Sequence, residues 1–261
     1  MDKPLFSILT ASYNNAPYLS DWANSILQQK YRPLEVVFVN DCSKDNTSDL
    51  IGPLVEKLKS HGIQVTLISN ENRLYYSSAL KTAWMNAKGQ FFGILDSDDC
   101  LEQGSVEYIM DLYMKHPNIG WMYTQFEQYD VKMHYRKSTG FSKAPKSGKS
   151  LLDIAGQGHH GYSHWRTFST RVPRLHKIFK DGLRCAVDKY MAYRLEEVSG
   201  GLFAPRICYR YRHGVPKAIS RVEKSIRTWK NIIEEAKNRR RKYNITPVPV
   251  SALDPVSGKK I

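Results

Sequence analysis

Apolar residues along this chain fall into short continuous runs separated by segments with helical spacing. Leu5-Phe6-Ser7-Ile8-Leu9-Thr10 predicts a buried first strand, followed by the polar loop Ala11-Ser12-Tyr13-Asn14-Asn15. Leu19, Trp22 and Ile26 then mark a helix ending near Gln29. Residues 35–40 form a second β-branched run that stops at Asp41-Cys42-Ser43. Leu50, Leu54 and Leu58 predict a helix ended by His61-Gly62, where glycine suits the cap. A third strand over 65–68, a helix over 76–87 and a fourth strand over 90–95 follow. This alternation predicts an α/β fold: a Rossmann-like, mainly parallel sheet flanked by helices. Ligands of such sheets sit beyond the carboxyl ends of the strands. Thr10, Ser12, Asp41, Asp96 and Asp98 all fall at such ends, so one crevice should collect them.

Beyond Leu101 the rhythm changes. A helix is expected over 104–116 and a strand over 120–126, and the Lys-, Gly- and Ser-rich stretch 130–149 reads as a loop or hairpin. Ile219, Val222, Ile226, Trp229 and Ile233 make an apolar stripe on a helix over about 217–243 that ends in Arg239-Arg240-Arg241-Lys242. The tail from Thr246 should be extended or mobile. The expected organisation is a first part over 1–100, a second over 101–216 in the same domain, and the basic helix with its tail over 217–261.

Charge changes this picture at one end. From Arg206 onward there are 15 Lys and Arg against 4 Asp and Glu, which is 11 of the net charge of +14. An anionic partner is one meaning, a solvated basic face the other. The helix can pack on its own domain, pair with a second copy in a homodimer, or lie on an anionic membrane surface. No apolar run reaches the length of a membrane span, no signal-peptide pattern opens the chain, and the four cysteines lack CxxC spacing. The expected setting is cytoplasmic, peripheral on the inner face of the membrane if the helix binds lipid.

The stretch with the most chemistry is Phe91-Phe92-Gly93-Ile94-Leu95-Asp96-Ser97-Asp98-Asp99, an apolar run ending in three carboxylates within four positions. A strand that delivers such a cluster needs a compensating charge, and a hard cation such as Mg²⁺ or Mn²⁺ supplies it while leaving sites for substrate phosphates. The first loop carries neither GxGxxG nor GxxxxGK[ST], which argues against dinucleotide and P-loop sites. Tyr13 can instead stack on a base, and Asp41 can accept hydrogen bonds from a base or ribose. Gly156 to Arg166 contains three histidines without a carboxylate or Cys partner, so zinc is set aside, and His160 and Trp165 become candidates to stack on or bond a ligand.

Three motifs taken in order resemble family 2 glycosyltransferases of the GT-A fold: Thr10-Ala11-Ser12-Tyr13-Asn14, Val39-Asn40-Asp41-Cys42-Ser43-Lys44-Asp45 and Asp96-Ser97-Asp98. They cover roughly the first 100 residues, and the resemblance implies a nucleotide-sugar donor-binding half over 1–100 and an acceptor-binding and catalytic half over 101–216 of the same domain. The resemblance implies a nucleoside diphosphate sugar donor, a UDP-sugar foremost, with Thr10, Ser12, Tyr13, Asp41, Asp96 and Ser97 on the donor side. Asp96 and Asp98 would hold a divalent metal, Mn²⁺ or Mg²⁺. The family's Ala-Arg-Asn run is replaced by Ala79-Leu80-Lys81, which leaves Lys81 as the cationic donor contact from that helix. Leu183 to Leu195 has the shape of the segment carrying the family's catalytic base, giving Asp188 that role, with Val187 where the family has Glu. Tyr209 to Ser220 resembles the closing motif and makes His213 a further metal ligand or a pyrophosphate contact. The implied reaction is inverting transfer to a hydroxyl of a glycan or lipid-linked acceptor, with His160 and Trp165 as candidates to contact the acceptor sugar. A nucleotidyltransferase on a related sheet is the rival; a nucleic-acid-binding module is disfavoured because no RRM, KH or helix-turn-helix signature appears.

Overall fold

The computed structural model describes residues 3–138, 142–146, 149–155, 161–215, 222–254 and 259–260. In chain order the first elements are β1 (Phe6–Ser12), α1 (Leu19–Leu27), β2 (Leu34–Asn40), α2 (Thr47–Ser60), β3 (Gln64–Ser69), α3 (Tyr76–Asn86) and β4 (Phe91–Ile94). There follow β5 (Cys100–Leu101), α4 (Ser105–Lys115), β6 (Trp121–Tyr129), β7 (Tyr135–Ser138) and β8 (Arg166–Ser169). The last are α5 (Val187–Leu195), β9 (Gly201–Arg212), α6 (Val222–Tyr243) and β10 (Val250–Ala252).

Strand β1 is buried along its whole length, and its side chains alternate between two cores. Phe6 and Ile8 belong to a core shared with residues of α1, α2 and α4, while Leu9 and Ala11 belong to a core shared with residues of α3, α5 and α6. A strand covered on both faces must be apolar at consecutive positions, which is why it reads as a continuous run. The sheet order is β10-β9-β6-β8-β4-β1-β2-β3, with β5 on β9 and β7 on β6. Pairing is parallel among β3, β2, β1 and β4, but β8 runs antiparallel to both β4 and β6. The sheet is mostly parallel, as expected, with antiparallel pairing at β8 and at the short β5 and β7.

Three expectations need correction at the level of faces. In α2 the buried positions are Ile51, Val55 and Leu58, while Leu50 is 45% exposed, so the buried face is turned by one residue from the leucine stripe. Among the α6 residues whose burial is described, Ile232 and Ala236 are buried, Trp229 and Ile233 of the expected stripe are partly buried, and Ile226 is 45% exposed; Ile219 lies outside the described residues. Trp165, expected at an acceptor sugar, is fully buried in the core against Phe6. Its indole lies so close to Gly93 that a Cβ there would come within 2.4 Å of the ring. Glycine in the middle of the apolar run is thus the seat for Trp165.

Among its described residues the tail contains a paired strand. β10 adds to β9 in parallel, and the Val248 N–H donates to the Glu196 carbonyl at 2.7 Å. Segments from all three expected parts of the chain therefore share one sheet.

Candidate functional site

The loops after β1 and β2 are knitted together at the carboxyl edge of the sheet. Asn14 N–H donates to Ser43 Oγ at 3.0 Å, Lys44 N–H to Asn14 Oδ1 at 2.7 Å, and Ala16 N–H to Asp45 Oδ2 at 3.1 Å. Short polar side chains suit this work because they satisfy backbone groups that the strands leave behind. The two loops wall a crevice of about 380 Å³ lined by Ser12, Tyr13, Asp41, Arg73, Tyr76 and Asp98, with Asp96 at its floor. The Ser12 hydroxyl is buried without a hydrogen-bond partner among the described residues. A buried hydroxyl left unpaired is costly, and a ligand group is the natural partner.

Asp41 is 3% exposed and accepts three hydrogen bonds from the loop after β3: Asn70 Nδ2 at 2.9 Å, Leu74 N–H at 2.8 Å and Tyr75 N–H at 2.8 Å. Tyr75 holds φ +67° with ψ 165°, a conformation that side chains rarely adopt, and the Asp41 carboxylate helps fix it. The Tyr13 ring is covered by the Arg73 guanidinium, 3.5 Å from its centroid, and Tyr75 is covered by Arg184 at 3.6 Å.

The three carboxylates after β4 have separate environments. Asp96 accepts from Arg166 Nη2 at 3.0 Å and, through its other oxygen, from the Tyr76 hydroxyl. Asp99 is buried and accepts from Tyr209 Oη at 2.8 Å and Arg212 N–H at 2.7 Å, so it joins this tip to β9. Burial, then the charges of Asp98 and Asp96, push its carboxyl well above the usual range. Asp98 is half-buried, and among the described residues no side chain bonds to it. Burial and the neighbouring Asp96 charge push its carboxyl up to about 7, against a smaller opposing pull from Arg212. A carboxylate so short of positive charge, facing a cavity, fits a hard divalent cation. Among the described residues no group of three or more His, Cys, Asp and Glu is assembled for a metal. The protein would thus give few ligands, as suits a cation that also binds phosphate oxygens.

Other expected residues go elsewhere. Thr10 is buried within the sheet, its hydroxyl donating to Leu95 O at 2.8 Å and accepting from Trp22 Nε1 at 3.1 Å, so it braces β4 instead of lining the crevice. Ser97 is buried and accepts from Asn15 Nδ2 at 2.7 Å. Lys81 turns to Asp181, 2.9 Å away, outside the crevice lining. His213 is exposed, with Nδ1 at 2.8 Å from Arg136 Nη1, which fixes that nitrogen as an acceptor. His160 lies outside the described residues. Asp188 stands in the first turn of α5, beside Lys189 at 3.5 Å, and its charge reaches Arg166 and Tyr211. Arg166 is thus a buried cation felt by both Asp96 and Asp188. It went unassigned in the sequence, as did Tyr76 and Arg73, although the last two follow β3 at the same carboxyl edge that pointed to Asp41.

The profile described as "Glycosyl transferase family 2" matches residues 7–179. A chondroitin synthase of Pasteurella multocida (strain Pm70) is 31% identical over 92% of this chain and 24% of its own length. A hyaluronan synthase of Pasteurella multocida is 32% identical over 84% of this chain and 22% of its own. The chain thus spans under a quarter of the length of these relatives. Among solved structures, S. aureus TarS 1–349 in complex with UDP-GlcNAc superposes with a TM-score of 0.67 at 18% identity, over 91% of this chain and 73% of that one. The mannosyltransferase PcManGT from Pyrobaculum calidifontis, in complex with GDP-Man and Mn²⁺, gives 0.62 at 18% identity, over 95% and 67%.

Proposed function

The chain belongs to glycosyl transferase family 2 and has the GT-A fold, and we propose that its crevice binds a nucleoside diphosphate sugar, a UDP-sugar foremost. The sugar goes to a hydroxyl of a glycan or lipid-linked acceptor with inversion at the anomeric carbon. The observation that carries this reading is the composition of one cavity: the unpaired Ser12 hydroxyl, the Tyr13 ring, the buried Asp41 and the half-buried Asp98. Together they supply a hydrogen-bonding group, an aromatic surface, an acceptor for base or ribose, and a carboxylate for a cation. The polysaccharide synthases among the relatives favour a growing glycan as acceptor.

Asp188 acts as the general base. It takes the proton of the acceptor hydroxyl while that oxygen bonds to the anomeric carbon and the bond from that carbon to the diphosphate oxygen breaks. The nucleoside diphosphate departs with the electron pair. A divalent cation, Mn²⁺ or Mg²⁺, held by Asp98 would supply electrostatic stabilisation of that leaving group. Asp41 and Ser12 orient the nucleoside, and the loop held by Asp41 closes the wall beside it.

Calorimetric titration of UDP, GDP, CDP and dTDP, each with Mn²⁺ or with EDTA, tests the reading. The expected result is cation-dependent binding of UDP that is lost in Asp98→Ala, followed by turnover with a panel of UDP-sugars including UDP-GlcNAc. Absence of binding for all four nucleotides in both conditions overturns it.

A further inference from the structure

Helix α6 turns two different faces to its surroundings. Ile232 and Ala236 are buried, and Arg239 and Arg240 reach Glu197 and Glu196 on the same side. Arg227, Lys230, Glu234, Lys237 and Arg241 are all exposed and recur at three and four residues, so they stand in one row on the opposite side of the helix. From Arg227 to Arg241 that row runs about 21 Å at 1.5 Å per residue. Glu234 is its one carboxylate and takes Lys237, at 3.0 Å; among the described residues no carboxylate pairs with Arg227, Lys230 or Arg241. At its C-terminal end the row enters a second cavity, of about 790 Å³, where Lys237 and Arg241 are joined by Lys149 and by the apolar surfaces of Pro247, Val248 and Pro249. The other carboxylate lining this cavity, Asp153, is engaged by the Ser150 N–H at 2.7 Å and the Ser150 hydroxyl at 2.9 Å. The cavity lies far from the crevice. Residues 246–249 lead into β10, where Val250 pairs with Gly201 at the start of β9, whereas Arg212, whose N–H bonds Asp99, ends that strand. A strand of this length spans about 35 Å, so the two cavities lie toward opposite ends of the sheet.

We infer that the outer row of α6 and the cavity at its end bind an acidic glycan chain, holding it at a distance from its reacting end. The inference rests on the glycan-acceptor reading above for the choice of a saccharide among polyanions. Cations one helical turn apart match a linear chain that carries spaced carboxylates, and each can form a charge-assisted hydrogen bond to one of them. Pro247, Val248 and Pro249 offer apolar surface to the C–H faces of sugar rings. Nucleic acid is a poorer match, because no aromatic side chain lines the cavity to stack on bases. An anionic membrane is a poorer match as well, since Ile232 and Ala236, which would have to enter the bilayer, are inside the fold. A chain held both on α6 and at the crevice gains from effective concentration, so long acidic chains should be preferred to short ones.

Calorimetric titration with two carboxylate-bearing glycans, oligosaccharides of hyaluronan and of polygalacturonate, and with neutral dextran tests this independently of turnover. The intact protein should bind at least one of the acidic chains, long ones more tightly than a disaccharide, with an affinity that falls as salt is raised. Lys237→Gln combined with Arg241→Gln should weaken that binding about tenfold, the scale of two exposed ion pairs. Arg227→Gln combined with Lys230→Gln should weaken the binding of long chains similarly, because it strips the other end of the row. Lys242→Gln removes an equally exposed charge from outside the row and should change the affinity less than about twofold. All five positions are exposed, so the variants should fold and bind UDP as the intact protein does. Equal loss in Lys242→Gln and in the paired variants overturns the inference, since diffuse charge would then suffice. So does dextran binding as tight as that of the acidic chains, tighter binding to anionic phospholipid vesicles or single-stranded nucleic acid, or absence of binding for both acidic glycans. UDP titration of the same samples separates the two readings. UDP binding without glycan binding removes this inference and spares the crevice, whereas row-dependent glycan binding without UDP binding spares the site on α6 and removes the crevice reading.

Discussion

Carboxylates of this site differ by what surrounds them, and each difference has a consequence. Asp41 uses its two oxygens for three N–H donors of the loop at 70–75. Asp41→Asn replaces one of those oxygens with a donor, so at least one N–H loses its acceptor beside the strained Tyr75. The variant should lose about 1–3 kcal/mol of stability and bind UDP more weakly, which a chemical melt and calorimetry can read together. Asp98 behaves differently because its carboxyl is pushed up to about 7. A cation must displace a proton below that value, so Mn²⁺-dependent UDP affinity should fall about tenfold per pH unit as pH drops below about 7, with proton release on binding. A flat affinity between pH 5 and 8 would sink this assignment. Asp188→Asn, if Asp188 is the base, should cut transfer by about 10²–10⁴-fold while leaving UDP affinity intact. Much of this set was legible in the sequence because position at a strand end and residue type sufficed for Ser12, Tyr13, Asp41 and Asp98. Thr10 misled because it shares that strand end while its side chain faces Trp22 and Leu95. Arg166 was hidden because its partner is 70 residues away and only the β4–β8 pairing joins them.

Among the elements, β1, β2 and β4 were readable because a strand buried on both faces and a helix buried on one write different periods into the sequence. β9 was not read as a strand. It carries Pro205 and alternates Tyr with Arg, and its arginines are bound in tertiary contacts: Arg210 to Glu102 at 2.5 Å, Arg212 to Asp21 at 2.8 Å and to the Asp98 carbonyl at 2.6 Å. Such partners cannot be inferred from local pattern. The Gly93 seat belongs to this scale too. Gly93→Ala would drive a methyl into the Trp165 ring, and it should lower stability by about 1–3 kcal/mol, with a shift of the buried tryptophan's fluorescence. Unaltered melting would mean that the indole has room to retreat.

For the whole molecule, the basic C-terminus is where charge counted from sequence and charge placed by the fold diverge. Arg239 pairs with Glu197 at 2.8 Å, and Arg240 pairs with Glu196, both acids lying at the end of α5 and almost wholly buried. Glu196 also accepts the Leu151 N–H at 2.7 Å. Two residues of the Arg-Arg-Arg-Lys run are therefore counter-ions for a buried acidic pair, and α6 is bound to the rest of the fold through them and through Ile232 and Ala236. That interpretation separates neighbouring residues by their effect. Arg240→Met leaves a buried carboxylate short of its cation and should cost about 3 kcal/mol, a fall of roughly 10 °C in Tm for a chain of this length. Lys242→Met, from an exposed position, should stay within about 0.5 kcal/mol. Equal melting of the two variants would show that the run acts as one solvated patch, and the ion pairs to Glu196 and Glu197 would then carry no weight in holding α6 against the sheet.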